Sequence, residues 1–285
     1  MFRVIVLWCV LSLAPVWSAH CGEGSALGDQ AVDFASASQD HQQIRGYISL
    51  PPGEGPFPAV VLLHGCSGTG KYLGLWKDYF LRAGYACLVV DSFRPRGFTE
   101  ICTDFKRVTD AMRVADAYGA LEYLAAHPRL KSDSVLVAGF SHGAGIALDA
   151  VSSVGLTGRT PGSPAFMAAV SIFPACDQKK RMEAKYRAPV LILIGEADDW
   201  TPARFCRELV DARTADEAPV AFKVYPGAHH GFTTPYLPLT YRPEVLNKHS
   251  PTGKGATLAG SPEATADAQE RILEFLGGLV AAKTR

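Results

Sequence analysis

The stretch Val135-Leu136-Val137-Ala138-Gly139-Phe140-Ser141-His142-Gly143-Ala144-Gly145 constrains this chain more than any other. Four apolar residues run into Gly139, and a helix-compatible run from Ala144 to Val151 follows. Between them stands Gly139-x-Ser141-x-Gly143, the pattern of a sharp strand-to-helix turn with an exposed serine at its tip. A serine hydroxyl attacks poorly unless a base reaches it. A tight turn at the end of a strand lifts its Oγ clear of the backbone. Such a turn has little room for Cβ atoms two residues to either side, which accounts for the glycines. The helix that follows aims its free N–H groups and its positive dipole end at the place where an oxyanion would form. The pentapeptide alone also fits a Gly/Ser-rich turn with no chemistry, so its context has to decide.

That context begins outside the fold. Arg3 followed by the apolar run Val4–Leu13 and by Ala14-Pro15-Val16-Trp17-Ser18-Ala19 reads as a secretory signal peptide over residues 1–19. Cleavage after Ser18 fits best, because it puts Val16 rather than Trp17 at the minus-three position. His20, not a small residue, precedes Cys21, which argues against a lipoprotein. The segment is short for a membrane span, and no later segment is long and apolar enough. The expectation is an exported protein, periplasmic or extracellular, with no membrane association after cleavage. Lys+Arg and Asp+Glu number 28 each among 285 residues, so no net charge points to nucleic acid or an anionic surface.

Export makes the cysteines informative. Six remain after Cys9 leaves with the signal: Cys21, Cys66, Cys87, Cys102, Cys176 and Cys206. An oxidising compartment permits disulfides. Cys87 in an apolar strand and Cys206 on a helix read as buried thiols. Cys66, Cys102 and Cys176 fall in loops after strands, and Cys66 with Cys102 is the expected bridge.

Along residues 22–285 strands alternate with helices. Strands are expected at Ala31–Ala35, Ile44–Leu50, Ala59–Leu63, Ala86–Asp91, Val135–Gly139, Ala168–Phe173, Pro189–Ile194 and Ala221–Tyr225. Helices are expected at Leu75–Ala83, from an Asp104 cap to Ala126, after Thr201-Pro202 as cap and first position, and at Thr265–Val280. Continuous apolar strands suit a sheet buried on both faces. The fold class is therefore α/β, one doubly wound domain with a mostly parallel sheet flanked by helices. Residues 233–260 form an irregular region long enough to fold over the active edge.

A working serine needs a base, an orienting acid and oxyanion donors. Each has a candidate just past the end of a strand, the edge where open α/β sheets bind ligands. Asp198 and Asp199 compete as the acid, and Asp198 is preferred because it is nearer the strand end. His229 and His230 compete as the base, and His230 is preferred because it precedes Gly231-Phe232. The N–H groups of His142 and Cys66 are the expected oxyanion donors. His229, His230 and His64 lack the ligand spacing of a zinc site, and the chemistry requires no cofactor.

Five pieces now stand in register: His64-Gly65-Cys66-Ser67-Gly68, Asp91 to Gly97, Gly139 to Gly143, Gly195-Glu196-Ala197-Asp198, and Tyr225 to Phe232. In order and spacing the sequence resembles the dienelactone hydrolase family of α/β-hydrolases. The resemblance implies Ser141, Asp198 and His230 as a triad acting on a small ester or lactone. Two departures stand out. The founding members carry Cys as nucleophile where this chain has Ser141, and a Glu where it has His64. They hold a substrate carboxylate with arginines, a role that falls to Arg94 or Arg96 here; the competing reading is a structural Arg in a Pro/Gly loop. Ester hydrolysis through an acyl-enzyme is the implied activity. Acyl transfer, amide cleavage and a non-catalytic binding protein on the same fold are the alternatives.

Overall fold

The protein is described by a computed structural model covering residues 28–283. The expected signal peptide and Cys21 lie outside the described residues. The chain runs β1 (Gln30–Ala35), β2 (Gln43–Ser49), β3 (Phe57–Leu63), α1 (Lys71–Arg82), β4 (Ala86–Asp91), α2 (Asp110–Ala125), β5 (Leu130–Phe140), α3 (His142–Ala150), β6 (Ala169–Ile172), α4 (Lys179–Glu183), β7 (Val190–Gly195), α5 (Ala203–Asp211), β8 (Val220–Tyr225), β9 (Thr240–Leu246), β10 (Lys254–Leu258) and α6 (Pro262–Lys283).

Eight strands make one sheet in the order β1-β2-β4-β3-β5-β6-β7-β8. β1 and β2 join it antiparallel, and the other strands are parallel. β4, β6 and β7 are buried along their whole length, the pattern expected of strands covered on both faces. Register aligns the carboxyl ends. Leu63 pairs with Gly139, Phe140 with Ile172, Ile172 with Leu193, and Gly195 with Tyr225. The loops that carry His64–Cys66, Ser141, Phe173, Asp198 and His230 therefore leave the sheet side by side.

The region 233–260 is more ordered than its sequence suggests. β9 and β10 form an antiparallel hairpin, and His230 bridges to Leu258 beside it. The hairpin does not add to the main sheet. Val245 and Ala256 instead pack with Cys66, Phe93, Ile101, Cys102, Val108 and Trp200 in a second small core above the sheet's carboxyl edge.

Three expectations are corrected here. The helix expected from Asp104 begins at Asp110, capped by the Thr109 hydroxyl, which accepts from the Met112 N–H. Residues 98–108 are drawn out of the helix because Ile101, Cys102 and Val108 bury themselves in the second core. Thr201 does not cap α5; Pro202 takes that position, and the Thr201 hydroxyl is engaged by Asp198. Cys206 is no free thiol: it is joined to Cys176, while Cys66 is joined to Cys102. Cys87 stays a buried thiol, its pKa raised by burial.

Candidate active site

The turn between β5 and α3 explains its own sequence. Ser141 holds φ 53°, a left-handed conformation that costs a non-glycine residue on the order of 1–3 kcal/mol. A Cβ on Gly139 would lie 2.2 Å from the Gly143 carbonyl oxygen. A Cβ on Gly143 would lie 2.5 Å from the carbonyls of both Leu63 and His64. The strained turn is thus clamped between its own helix and the neighbouring loop, and glycine alone fits at both places.

Three loops converge on this serine. His230 Nε2 lies 2.9 Å from Ser141 Oγ, and its Nδ1 lies 2.8 Å from Asp198 Oδ2. Asp198 is fully engaged: Oδ1 accepts the N–H groups of Trp200 and Thr201, and Oδ2 also accepts the Thr201 hydroxyl at 2.8 Å. Both Asp198 and His230 are buried. Phe173 and Trp200 flank the imidazole with ring centroids 4.6 and 4.9 Å away. These contacts fix the ring plane and exclude water from its sides. Thr201, expected from the sequence as a helix cap, instead serves the acid: its position three residues after Asp198 fits an Asx-type turn.

Asp199 and His229, the competing candidates, sit elsewhere. Asp199 is exposed and accepts the Thr257 N–H. His229 is half-buried and makes no hydrogen bond to Ser141 or Asp198. Among the described residues, the N–H groups of Cys66 and His142 have no hydrogen-bond acceptor, whereas the Gly65 N–H donates to the Tyr72 hydroxyl at 2.9 Å. The two open N–H groups flank the serine from opposite loops.

Beneath the serine is a polar network that the sequence did not disclose. His142 Nε2 donates to Asp110 Oδ1 at 2.7 Å, and its Nδ1 accepts from Arg113 Nη1 at 2.8 Å. Arg113 Nη2 donates to the His64 carbonyl at 2.7 Å. Burial, and then the charge of Arg113, drive His142 down to about 4, so its ring is neutral at neutral pH. His64 is likewise held well below its ordinary value, by burial first and Arg113 second. Its Nδ1 donates to the Gly65 carbonyl and its Nε2 accepts from the Ser92 N–H. Burial pushes Asp110 up, but the His142 hydrogen bond and the Arg181 charge outweigh it, and its carboxyl falls below the ordinary range. Arg181 forks onto Asp149 at 2.8 and 2.9 Å and also reaches Asp110. A Cβ on Gly145 would strike its guanidinium, which accounts for the glycine that closes the Val135–Gly145 stretch.

A cavity of about 520 Å³ opens beside Ser141. Phe105, Trp200, Leu246 and the Cys66 disulfide give it apolar walls, and Asp177, Lys248 and His249 make a polar end. Asp177 Oδ2 receives both Lys248 Nζ and His249 Nε2. Arg94 and Arg96 do not line this cavity. Arg96 is buried in a fork on Asp116 at 2.7 and 2.9 Å, and Arg94 is half-exposed against Asp91 and Thr69. The Asp116 fork occupies the Arg96 guanidinium and corrects its expected substrate-binding role to a structural one, whereas Arg94 engages only its Nη1 and lies outside the cavity that holds Ser141.

A parallel sheet that delivers a serine, an acid and a histidine in that chain order to one edge is the architecture of the α/β-hydrolases. Comparison with known proteins narrows this: the chain belongs to the dienelactone hydrolase family, whose sequence model matches residues 44–279. It is 24% identical over 278 residues to mouse acyl-coenzyme A thioesterase 5, with 82% of this chain covered. It is 23% identical over 237 residues to mouse acyl-coenzyme A amino acid N-acyltransferase 1, with 70% of this chain covered. It spans 62% and 54% of those two relatives' lengths. A thermophilic esterase structure from Thermogutta terrifontis matches with a TM-score of 0.64 at 17% identity, covering 87% of this chain and 94% of that one, which is a likeness of fold.

Proposed function

We propose that the protein is an exported serine hydrolase that cleaves a small carboxylic ester or lactone through an acyl-enzyme on Ser141. The observation that carries this reading is the hydrogen-bonded series from Ser141 Oγ through His230 to a fully engaged Asp198. His230 takes the Ser141 proton as the hydroxyl attacks the ester carbonyl. The open N–H groups of Cys66 and His142 receive the oxygen of the tetrahedral intermediate. His230 returns the proton to the leaving alcohol, then activates a water that releases the acid. Asp198 holds the imidazole in the tautomer that leaves Nε2 able to accept.

Export rests on the signal-like Met1–Ala19, and two disulfides at the cavity loops accord with an oxidising compartment. A second reading, transfer of the acyl group to an amine or alcohol, is favoured by the N-acyltransferase among the relatives. Both share the acyl-enzyme, and product analysis with a competing amine or alcohol separates them.

Labelling of the mature protein with a fluorophosphonate, followed by peptide mapping, tests the common step. One adduct on Ser141, absent in Ser141→Ala and in His230→Ala, is expected. Ser141→Ala should fold normally and lose nearly all turnover of p-nitrophenyl esters. Wild-type turnover in that variant would remove the reading.

A further inference from the structure

The two open N–H groups belong to different loops. Cys66 follows β3, and His142 opens α3 after β5. The β3–β5 ladder fixes their spacing only as far as Leu63 opposite Gly139; beyond that pair the β3 chain leaves the sheet, while β5 stays paired with β6 through Phe140. Arg113 on α2 closes the gap. Its Nη1 donates to the His142 ring at 2.8 Å, and its Nη2 donates to the His64 carbonyl at 2.7 Å, two residues before Cys66. It is fully buried, and Phe93 lies under its guanidinium at 5.1 Å.

We propose that Arg113 is a positioning residue that holds the two oxyanion arms, the turn Gly65–Cys66 and the His142 end of α3, at the spacing acyl transfer needs. The inference rests on the serine hydrolase reading above. Arg113 touches no reacting atom and acts through the two loops. A guanidinium is a costly way to fill buried volume. None of its hydrogen-bond partners is a carboxylate, and its Nε has no partner among the described residues. An apolar side chain would pack there without that cost. What the guanidinium supplies is a planar fork whose two arms reach both loops at once.

The neutral His142 completes the clamp. Its Nε2–H faces Asp110, so Nδ1 is free to accept from Arg113. A protonated ring would turn a second cationic donor toward the guanidinium and push the arms apart. The placement matters because oxyanion donors act only within about 2.7–3.1 Å of the developing charge, and a displacement of about 1 Å can cost a hundredfold.

The test compares wild type with Arg113→Lys, Arg113→Met, His142→Ala and the double variant Arg113→Met/His142→Ala. Thermal midpoint, kcat and KM are measured on a p-nitrophenyl ester and on its thiono analogue, whose sulfur accepts hydrogen bonds weakly. His142→Ala keeps the backbone N–H and removes only the ring that Arg113 grips. In Arg113→Met, kcat on the ester should fall about tenfold to a hundredfold with KM within about twofold, and the ester-to-thionoester ratio should shrink. Lysine reaches one loop and not two, so Arg113→Lys should lie between. The double variant should be no worse than the weaker single variant, since both cut one linkage. Folded Arg113→Met with wild-type kcat and ratio overturns the proposal. So does a loss that tracks the unfolded fraction at unchanged ratio. If the Arg113 variants do not fold, His142→Ala decides alone: an unchanged ratio overturns the clamp and a reduced one supports it. A wild type that neither turns over esters nor labels at Ser141 removes the parent reading, whereas an active wild type with indifferent variants removes only the clamp.

Discussion

Asp199 and Thr257, 58 residues apart, are joined by a 2.9 Å bond from the Thr257 N–H to Asp199 Oδ1. The Asp199 carbonyl also accepts from Asn247 Nδ2 at 3.0 Å. The turn that supplies Asp198 thus also fastens the β9–β10 hairpin over the site. Asp199→Ala removes the side-chain bond and keeps the carbonyl. A single exposed hydrogen bond is worth about 1 kcal/mol, so the thermal midpoint should move little. Amide exchange across β10 should quicken all the same, because this bond pins that strand. Exchange at Thr257 equal to wild type would show that the retained contacts, the Asn247 bond to the Asp199 carbonyl and the packing of Val245 and Ala256, suffice to hold the hairpin.

Local features of this chain were legible because they are local. Gly139, Ser141 and Gly143 meet each other within one turn, and Asp198 and His230 are set by the strands that precede them. Pairings made across the fold were not. Cys206 reads as a helical apolar residue, and only the docking of α5 against residues 174–178 shows it to be bridged. Asp104 is as good a cap as Thr109 by type. The burial of Ile101, Cys102 and Val108 in the second core decides between them. Arg96 sits in a loop that resembles a ligand-binding one, and its partner Asp116 is 20 residues away on α2. Arg113 carries no motif at all; its role appears only when β3 and β5 bring His64 and His142 together.

Stability should fall as pH drops from 7 toward 5. In the folded protein His142 titrates at about 4, below its ordinary 6.5. The unfolded chain therefore binds its proton first, and within that window stability rises with pH. His64 is shifted in the same direction and adds to the effect. The depressed carboxyl of Asp110 acts in a different range: its contribution is present above the ordinary carboxylate value and is lost only in stronger acid. His142→Gln offers Arg113 an acceptor and Asp110 a donor without a titrating ring. Unfolding free energies from urea titrations between pH 7 and 5 should then slope less, by at most about 1.4 kcal/mol per pH unit. Parallel slopes for variant and wild type would count against a neutral buried His142.

Cys176–Cys206 should matter to binding as well as to stability. The bridge closes a separation of 30 residues, for which chain entropy gives an upper figure of about 3–4 kcal/mol. Cys176→Ala/Cys206→Ala should lower the thermal midpoint by roughly 10 °C in a chain of this size. The bridge also anchors residues 174–178, among which Ala175, Asp177 and Gln178 line the cavity. KM should accordingly rise more than kcat falls, since Ser141 and His230 lie on other loops. The Ala175 carbonyl keeps its bond from Arg181 Nη1, and Asp177 keeps Lys248 and His249. If KM holds while the midpoint drops, those contacts suffice to shape the cavity.

Asp198→Asn is the sharpest test of how the imidazole is held. The carboxylate accepts at both oxygens: the Trp200 and Thr201 N–H groups meet Oδ1, and the Thr201 hydroxyl and His230 meet Oδ2. In the amide, the two backbone N–H groups select the oxygen for the first position, and the NH₂ then faces His230 Nδ1. A donor there forces the proton onto Nε2, which would point it at Ser141 Oγ and leave no base. Packing changes little, because the side chains match in size and Phe173 and Trp200 still hold the ring. Turnover should therefore fall by about 10⁴-fold, as the corresponding change does in other Ser-His-Asp enzymes, with the thermal midpoint much less affected. Fluorophosphonate labelling should slow in parallel, since it draws on the same base. A variant that labels at the wild-type rate would mean that His230 is oriented by its aromatic neighbours and the Thr201 hydroxyl rather than by the Asp198 charge.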